Sequence, residues 1–251
     1  LDRVVEGLPS EDLLLELANK RLGLTRPELS VLMASANIAI YDALIDSAVV
    51  DQDAVQEELL AAFPQEVQDT YSDAICTHRL RREIIATKLA NAVVNRGGLT
   101  LAFDLDEATG LGLAACAAAF MVARDVFDLR ELWRKIDQHD YRIPANIQTL
   151  MHLETASALR RQMLWFLSHI EEPLKIEEAI SAYRQGVQAL LTNPAPLLSG
   201  LSKDAHVERR DMYKEQGVPK SVADRIAALD TMSPACDIVF VANDLKLDVK
   251  D

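Results

Sequence analysis

The sequence predicts an all-α protein, a multi-helix bundle built around a long central helix over about residues 65–96. Aromatic residues make up only 5% of the 251 residues, whereas Ala, Leu, Glu and Arg are abundant, and this composition favours helix over strand. Hydrophobic residues at 49% and charged residues at 26% are typical of chains that fold around a core. Helix start and stop signals also recur along the chain.

The first strong helix-start signal is the segment 25–28 (TRPE), which we interpret as a capping box. In such a motif the Thr25 hydroxyl accepts the backbone N–H of residue 28, and the Glu28 carboxylate reaches back to the start of the helix. A proline is tolerated in this first turn. A helix is therefore predicted over 25–47, followed by a linking helix over 51–62.

The predicted central helix begins at Pro64 and ends at Arg96, where Gly97 and Gly98 suit a left-handed C-terminal cap. A turn of 100° per residue places its apolar side chains in two sectors, so we expect neighbours to cover the helix on both sides. One sector holds Leu80, Ile84, Thr87, Asn91 and Val94, and the other holds Tyr71, Ala74, Ile85, Leu89, Ala92 and Val93.

Further helices are predicted over 129–138 with Asp128 as the cap, and over 144–169, 174–192, 203–216 and 219–229. The segment 237–245 is ambiguous, because its Ile, Val and Phe residues suit a strand whereas the Ser-Pro pair before it is a helix-start signal. We favour a helix there and leave the strand open. The chain 1–251 is interpreted as one helical domain, with one weak candidate boundary near 139–143.

Net charge, the length of apolar runs and the cysteine content indicate which partners and which compartment suit the chain. A formal net charge of -13 disfavours nucleic acid and acidic lipid headgroups. The longest apolar run, 111–123, has 13 residues, short of the roughly 20 that span a bilayer, so no membrane span is expected. Three well-separated cysteines offer no disulfide framework and indicate a reducing cytoplasm. Because the first residue is not Met and no signal peptide follows it, the chain is expected to begin inside a longer protein.

Three motifs of cofactor-binding and metal-binding proteins are matched only in part. Residues 110–115 fit GxGxxA, but an acidic segment precedes the first glycine instead of a buried strand, so we interpret the glycines as a helix start. A calcium loop from Asp104 lacks oxygen ligands at its fifth and twelfth positions, and capping by Asp104 or Asp106 is the simpler interpretation. Neither ExxH nor HExxH occurs. No catalytic, cofactor-binding or metal-binding residue is therefore predicted in this chain.

A charge asymmetry makes the central region the candidate structural or docking site. Residues 51–73 hold seven acidic side chains and no Lys or Arg, whereas 79–96 hold five bases against Glu83 alone. We interpret this as acids near the positive end and bases near the negative end of one long helix, with a docking face for an anion or a partner as the alternative. The candidate residues are Arg79, Arg81, Arg82, Asn91 and Arg96.

Among these candidates, Arg82 falls beside the apolar residues Ile85 and Leu89 on the predicted helix. A guanidinium group in such surroundings stays charged only if it is paired or reaches out to solvent. We therefore expect an acidic partner for Arg82.

Five strings, in this order, resemble the C-terminal region of the large bacterial NAD-specific glutamate dehydrogenases. They are GLTRPELSVL at 23–32, HRLRREIIAT at 78–87 with LAN and VNR after it, ARDVFDL at 123–129, QGVP at 216–219 and DIV at 237–239. The resemblance covers nearly the whole chain. None of the strings is a catalytic motif.

The resemblance implies that the parent enzyme deaminates glutamate oxidatively to 2-oxoglutarate and ammonia, with NAD as the hydride acceptor. It also implies that the substrate lysine, the catalytic aspartate and the dinucleotide loop lie in a preceding domain, so this segment itself binds no cofactor. The implied partners are the catalytic domain of the same polypeptide and, in a homo-oligomer, further copies of the parent. The competing hypothesis is a free-standing helical scaffold that binds another protein.

Overall fold

The computed structural model describes residues 2–169, 171 and 173–249, and this part of the chain contains thirteen α-helices, two 3-10 turns and no strand. The all-α prediction is confirmed. The helices are α1 (Glu11–Asn19), α2 (Arg26–Ile45), α3 (Gln56–Leu60), α4 (Gln65–Cys76), α5 (Arg81–Gly97), α6 (Leu101–Thr109), α7 (Leu113–Val126), α8 (Leu129–Asp137), α9 (Ala145–His169), α10 (Ile176–Thr192), α11 (Gly200–Glu215), α12 (Lys220–Thr231) and α13 (Ala235–Leu245), and the 3-10 turns are Val49–Asp51 and Asp53–Val55.

The predicted long helix over 65–96 is two helices, α4 and α5, separated by residues 77–80. Within this segment Nδ1 of His78 accepts the backbone N–H of Leu80 at 3.1 Å. Such local side-chain bonds compete with the helical ladder and favour a break. The prediction of one central helix over this range is therefore wrong.

The expected burial of both sides of this region is also wrong. Ile85 and Leu89 are buried on α5, but Leu80 is 53% exposed, and Thr87 and Asn91 are exposed as well. A wheel drawn through a break assigns residues of two helix axes to one face. Burial also does not follow the predicted sectors, since Val94 of the first is buried whereas Tyr71 and Ala74 of the second are exposed.

The helix at the centre of the fold is α7. Eleven of its fourteen residues are buried, and it contacts α2, α5, α6, α8, α9 and α10. Its sequence is rich in alanine, and a helix that is apolar on all sides is one that neighbours surround. The apolar run 111–123, which is too short to span a bilayer as one uninterrupted run, thus lies largely in the middle of the core.

Two glycines with positive φ set the turn between α6 and α7. Gly110 has φ 70° at the end of α6, and Gly112 has φ 86° immediately before α7, conformations that residues with a Cβ rarely adopt. The carboxylate of Asp106 accepts the N–H of Gly112 at 2.8 Å. A helix therefore precedes the GxGxxA match, whereas a dinucleotide-binding turn follows a buried strand.

A capping box begins α2. The Glu28 carboxylate accepts the hydroxyl and the backbone N–H of Thr25, each at 2.6 Å. These two hydrogen bonds hold the pKa of Glu28 below its usual range. The start of α2 is thus fixed by residues within the helix's own first turn.

The helix α2 has the length and composition of a membrane span, which the search for uninterrupted runs missed because Ser30 and Asn37 interrupt the apolar residues. The bent pairs α6–α7 and α12–α13 also meet this criterion when each pair is taken together. The length argument against a membrane span therefore does not hold for α2. Only 17% of the apolar stretch of α2 is buried within the chain.

Gln52, between the two 3-10 turns, links the N-terminal third of the chain to α10. Its side chain donates to the carbonyl of Leu174 at 3.1 Å and accepts the N–H of Ile176 at 2.9 Å. This pair of bonds gives the start of α10 a partner that is far away in the sequence. The N-terminal layer is thereby attached to the C-terminal half.

The ambiguous segment 237–245 is helical and belongs to α13, which begins after Pro234. This helix packs on α10 at Gly186, where an added Cβ would lie 2.7 Å from Cγ2 of Val239. The absence of a side chain at Gly186 therefore allows the two helices to approach closely.

We predict that Gly186→Ala destabilises the chain by about 1–2 kcal/mol, although alanine normally favours a helix over glycine by about 1 kcal/mol. The reason is that buried Val239 is β-branched, and its side chain has few rotamers with which to make room. Denaturant unfolding measures the change. Gln185→Ala, at an exposed position of the same helix, is the control and should change stability by less than about 0.5 kcal/mol. A stabilised Gly186→Ala variant would contradict the close packing of α10 and α13.

Candidate docking and ion-pair site

The candidate residue Arg82 lies in the first turn of α5 and reaches the end of α2. Its guanidinium pairs with the carboxylate of Asp51 and donates to the carbonyls of Ile45 and Ser47 at 2.7 and 3.2 Å. A positive charge is favourable there, because the last carbonyls of a helix lack partners and carry partial negative charge. The Arg82 side chain is 35% exposed, so solvent screens its ion pair with Asp51 more strongly than it would screen a buried pair.

Three of the other candidates make weaker contacts or none. Arg81 lies 3.8 Å from Asp51, on the same carboxylate as Arg82. Arg79 and Asn91 are exposed, and Arg79 forms no ion pair within the described part of the chain. Of the candidates near the start of α5, only Arg81 and Arg82 thus lie close to the same carboxylate, that of Asp51.

Arg96 lies at the opposite end of α5, about 21 Å from Arg82 at the rise of a helix. Its guanidinium lies 3.1 Å from the carboxylate of Asp137 and 5.0 Å from the ring centre of Trp133. Such stacking on an aromatic face is a favourable place for a cation. Arg96 therefore joins α5 to α8 and does not contribute to the Arg82 contacts.

Two of the seven acids of 51–73, Asp51 and Glu58, form ion pairs among the described residues. Acids of 51–73 pair with bases of other elements: Asp51 with Arg82, and Glu58 with Arg124. The interpretation as the two ends of one helix is wrong, because α4 and α5 are separate helices. Among the bases of 79–96, Arg81 and Arg82 pair with Asp51, whereas Arg96 pairs with Asp137 outside the acidic segment.

The most buried ion pairs involve residues that sequence reasoning did not single out. Arg124, in the last turn of α7, is 3% exposed, and its Nη1 lies 2.8 Å from Glu58, which is 6% exposed. Its Nε and Nη2 bind both oxygens of Asp125 at 2.7 and 2.8 Å. Arg130 of α8 pairs with Glu58 and, at 3.2 Å, with Asp125. Two guanidinium groups thus balance two carboxylates, and we call these four residues the core ion cluster.

Within the core ion cluster, partner charges outweigh the effect of burial. Burial by itself lowers the pKa of Arg124, but the hydrogen bonds and charges of Asp125 and Glu58 raise it above its usual value. Burial raises the pKa of Asp125, and the hydrogen bonds and charges of Arg124 and Arg130 more than reverse this and lower it. Both groups therefore stay charged at neutral pH.

Side chains from two other helices satisfy the carbonyls at the C-terminal end of α7. Gln188 of α10 donates to the carbonyl of Val126 at 2.6 Å, and Arg225 of α12 donates to the carbonyl of Phe127 at 2.7 Å. Arg225 also donates to the Gln188 amide oxygen at 2.9 Å, which orients both side chains. The buried end of the central helix is thus capped by residues distant in the sequence.

A cavity of about 370 Å³ lies beside Arg225. Burial lowers the pKa of this arginine, opposed by the charge of Asp128. The walls of the cavity also carry Glu131, Lys135 and Asp224, so acids outnumber bases. This balance does not suit an anionic ligand.

Two observations concern metal-binding and nucleophilic groups among the described side chains. Across residues 2–169, 171 and 173–249, no three His, Cys, Asp or Glu side chains are placed to hold a metal ion. Burial raises the pKa of the Cys236 thiol, which makes this cysteine a packing residue and a poor nucleophile. The arrangement suits structural ion pairing and surface contacts.

An exposed apolar groove lies between α2 and α6 and was also missed from the sequence. It has a volume of about 680 Å³, and its lining includes Leu32, Ile38 and Phe103, with Glu6 and Asp42 among its polar residues. Ile38 is 60% exposed and Phe103 is 37% exposed. Apolar residues at helical spacing are normally interpreted as core, so only the structure shows that these face solvent.

Comparison with known proteins shows what this chain is similar to. The family profile described as glutamate dehydrogenase, C-terminal, matches residues 21–251. The chain is 36% identical to the NAD-specific glutamate dehydrogenase of Pseudomonas aeruginosa over 227 residues, 33% identical to that of Halomonas elongata over 242 residues, and 28% identical to that of Mycobacterium tuberculosis over 227 residues. These alignments cover 90%, 96% and 90% of this chain. They cover 14%, 15% and 14% of the relatives, so the chain spans about one seventh of their length.

We predict that Arg124→Ala lowers the free energy of unfolding by about 3–5 kcal/mol, because it removes a partner from the buried carboxylate of Glu58 and from the half-buried carboxylate of Asp125. Arg82→Ala should cost less, about 1–2 kcal/mol, because its pair is partly exposed. Arg79→Ala, at an exposed arginine, is the control and should stay within about 0.5 kcal/mol. Denaturant unfolding of the three variants tests this order. Equal losses for Arg124→Ala and Arg79→Ala would show that the core ion cluster contributes nothing to stability.

The lowered pKa of Asp125 predicts a contribution to acid unfolding. Its stabilising effect is fully present above the unfolded-state pKa, near 3.8, and is lost as the pH falls through the lower folded-state pKa. Between about pH 5 and pH 3, the free energy of unfolding should therefore fall less in Asp125→Asn than in the unsubstituted chain. Asp12→Asn, on the exposed helix α1, should retain the full fall. Identical pH slopes for all three proteins would contradict the lowered pKa.

Proposed function

This chain belongs to the glutamate dehydrogenase C-terminal family, and we propose that it serves as the non-catalytic C-terminal helical part of an NAD-dependent glutamate dehydrogenase. The parent reaction would convert glutamate, NAD and water to 2-oxoglutarate, ammonia and NADH. The observation that carries the proposal is the family match over 21–251, since the chain spans only about one seventh of its dehydrogenase relatives. Most of such an enzyme, including its chemistry, would lie outside this segment.

We propose that the segment packs on the catalytic domain of its own polypeptide and supports assembly or regulation. Two exposed apolar faces favour an interaction role. One lies on α2 and the other on α13, where Phe240 is 46% exposed, Val241 52% and Leu245 58%. A homo-oligomeric parent is part of the same proposal.

We propose that NAD is bound by the preceding domain and not by this segment. The helix before the GxGxxA match supports this, because it leaves no strand from which a dinucleotide-binding turn could start. A cytoplasmic enzyme that binds neither nucleic acid nor membrane fits the net charge of -13. The buried residues Ala36, Ile40 and Leu44 also tie α2 to the core, which disfavours its insertion into a bilayer.

The competing function is a free-standing helical scaffold that binds another protein. The same exposed faces on α2 and α13 would serve it, so surface chemistry alone favours neither function. The family match favours the dehydrogenase segment, because the three relatives compared above are each named as NAD-specific glutamate dehydrogenases.

We predict that deleting the segment that corresponds to residues 21–251 from the parent enzyme lowers its rate of NAD reduction with glutamate or changes its assembly. The cause would be apolar surface left bare on both sides of the lost contact. Initial rates and sedimentation velocity of the truncated parent measure the two effects. Adding the separately purified chain should restore part of the loss, whereas unchanged size and rate would show that the segment has no such role.

A further inference from the structure

The exposed side of α2 carries one continuous ridge of residues spaced four apart. All five of its members are exposed, and we call this set the α2 ridge: Arg26, Ser30, Ala34, Ile38 and Asp42. Leu29 and Met33, at 40% and 39% exposure, lie beside it. Residues four apart are neighbours on a helix and form the ridges by which helices pack on one another.

The α2 ridge cannot be covered by the rest of this chain without dismantling the core. The opposite side of α2 is buried through Ala36, Ile40 and Leu44, and Arg82 holds the carbonyl at its C-terminal end. The helix is therefore fixed in orientation, with the ridge turned outward. Exposed apolar side chains held in this way, here Leu29, Met33 and Ile38, are typical of a contact between proteins.

The ends of the ridge carry opposite charges that have no partner within the chain. Neither Arg26 nor Asp42 forms an ion pair among the described residues. Small side chains, Ser30 and Ala34, occupy the middle of the ridge, where they permit close approach of a second helix. A positive end, a small centre and a negative end make the ridge complementary to itself when reversed.

We propose that the α2 ridge is a twofold interface between two copies of this chain, with the two α2 helices antiparallel. A twofold axis at Ala34 places Arg26 of each copy opposite Asp42 of the other, and Ser30 opposite Ile38. Packing of such four-residue ridges on each other gives a helix crossing angle of about −50°. Two ion pairs and a central apolar contact then form together.

Charge favours a second copy of this chain over an unrelated acidic protein surface or a bilayer as the partner of the α2 ridge. Residues 1–60 contain twelve acids and four bases, so an unrelated acidic surface of the same chain would be repelled. A bilayer would have to bury Asp42 without a partner, which is costly. The reversed α2 ridge supplies an opposite charge to each end and an apolar surface to the middle.

The size of the contact sets the expected strength. One pair of 20-residue helices buries less than the roughly 1,600 Å² of a standard protein interface, so the chain alone should associate weakly. This inference specifies a contact for the assembly role proposed above. Its statement about the parent enzyme rests on that proposed function, whereas self-association of the chain does not. In the parent, the contact would add to others and help to set the subunit arrangement.

A charge-exchange experiment tests the interface. The chain is studied by sedimentation equilibrium between about 10 and 500 μM, the range in which a small interface associates. Arg26→Asp and Asp42→Arg should each weaken self-association by about tenfold or more, because each variant places like charges opposite each other. An equimolar mixture of the two variants should form a heterodimer, and the chain with both substitutions should recover self-association. Arg79→Asp, at an exposed arginine outside the ridge, is the matched control and should leave association unchanged.

Cross-linking locates the axis independently of affinity. In a Cys76→Ser background, which removes the one cysteine that is not buried, Ala34→Cys should form a disulfide-linked dimer on mild oxidation. Ser30→Cys alone should cross-link poorly, whereas its mixture with Ile38→Cys should cross-link well. This pattern depends on the antiparallel register.

Three results would contradict the proposed twofold interface. They are a chain that stays monomeric over the whole range without cross-links, association that is insensitive to the charge exchange, and ridge-dependent binding to vesicles of anionic phospholipid. Rates of NAD reduction by the parent are measured separately. If the parent failed to reduce NAD with glutamate while the charge-dependent dimer still formed, the proposed function would be refuted and the interface would not.

Discussion

The fold depends on burying α7, the one helix that neighbours surround on all sides. Backbone carbonyls and a guanidinium at its C-terminal end cannot be left without partners in the core. Glu58 of α3 and Asp125 neutralise Arg124, while Gln188 of α10 and Arg225 of α12 satisfy the last carbonyls. Satisfying this single helix end therefore fixes the positions of elements drawn from most of the chain. The exposed faces on α2 and α13 are held in place by the same core.

The sequence predicted those parts of the fold whose causes are local. The start of α2 at Thr25, the end of α5 at Gly97 and the helical state of 237–245 follow from caps and breakers within a few residues. The break at 77–80 was missed because apolar spacing continues across it, while the bond from the Leu80 N–H to the His78 side chain leaves no mark on a hydrophobic pattern. The central position of α7 was missed for a different reason, since an alanine-rich run signals burial without saying which helix lies in the middle.

The candidate site was harder to predict than the fold, because its interactions join distant residues. Arg82 stood out as a charge among apolar neighbours, yet nothing in the local sequence identified Asp51. The core ion cluster had one signal, a charged pair at the end of an apolar run, and no signal that pointed to Glu58. The exposed face of α2 could not be found from hydropathy, because an apolar helix position looks the same whether core or solvent covers it. Family resemblance reached further than residue chemistry here, since five ordered strings identify a lineage without requiring a catalytic residue.

The bonds of Gln52 to Leu174 and Ile176 have a consequence during synthesis. A ribosome adds about 5–20 residues per second, so roughly 6–25 s separate the emergence of Gln52 from that of its partners. Throughout that interval the 3-10 turn that follows Gln52 is made but cannot complete its packing against α10, and the buried side chain of Val55 lacks part of its cover. Chaperone occupancy on the polysome should therefore concentrate on the first third of this segment, and the C-terminal half should release it.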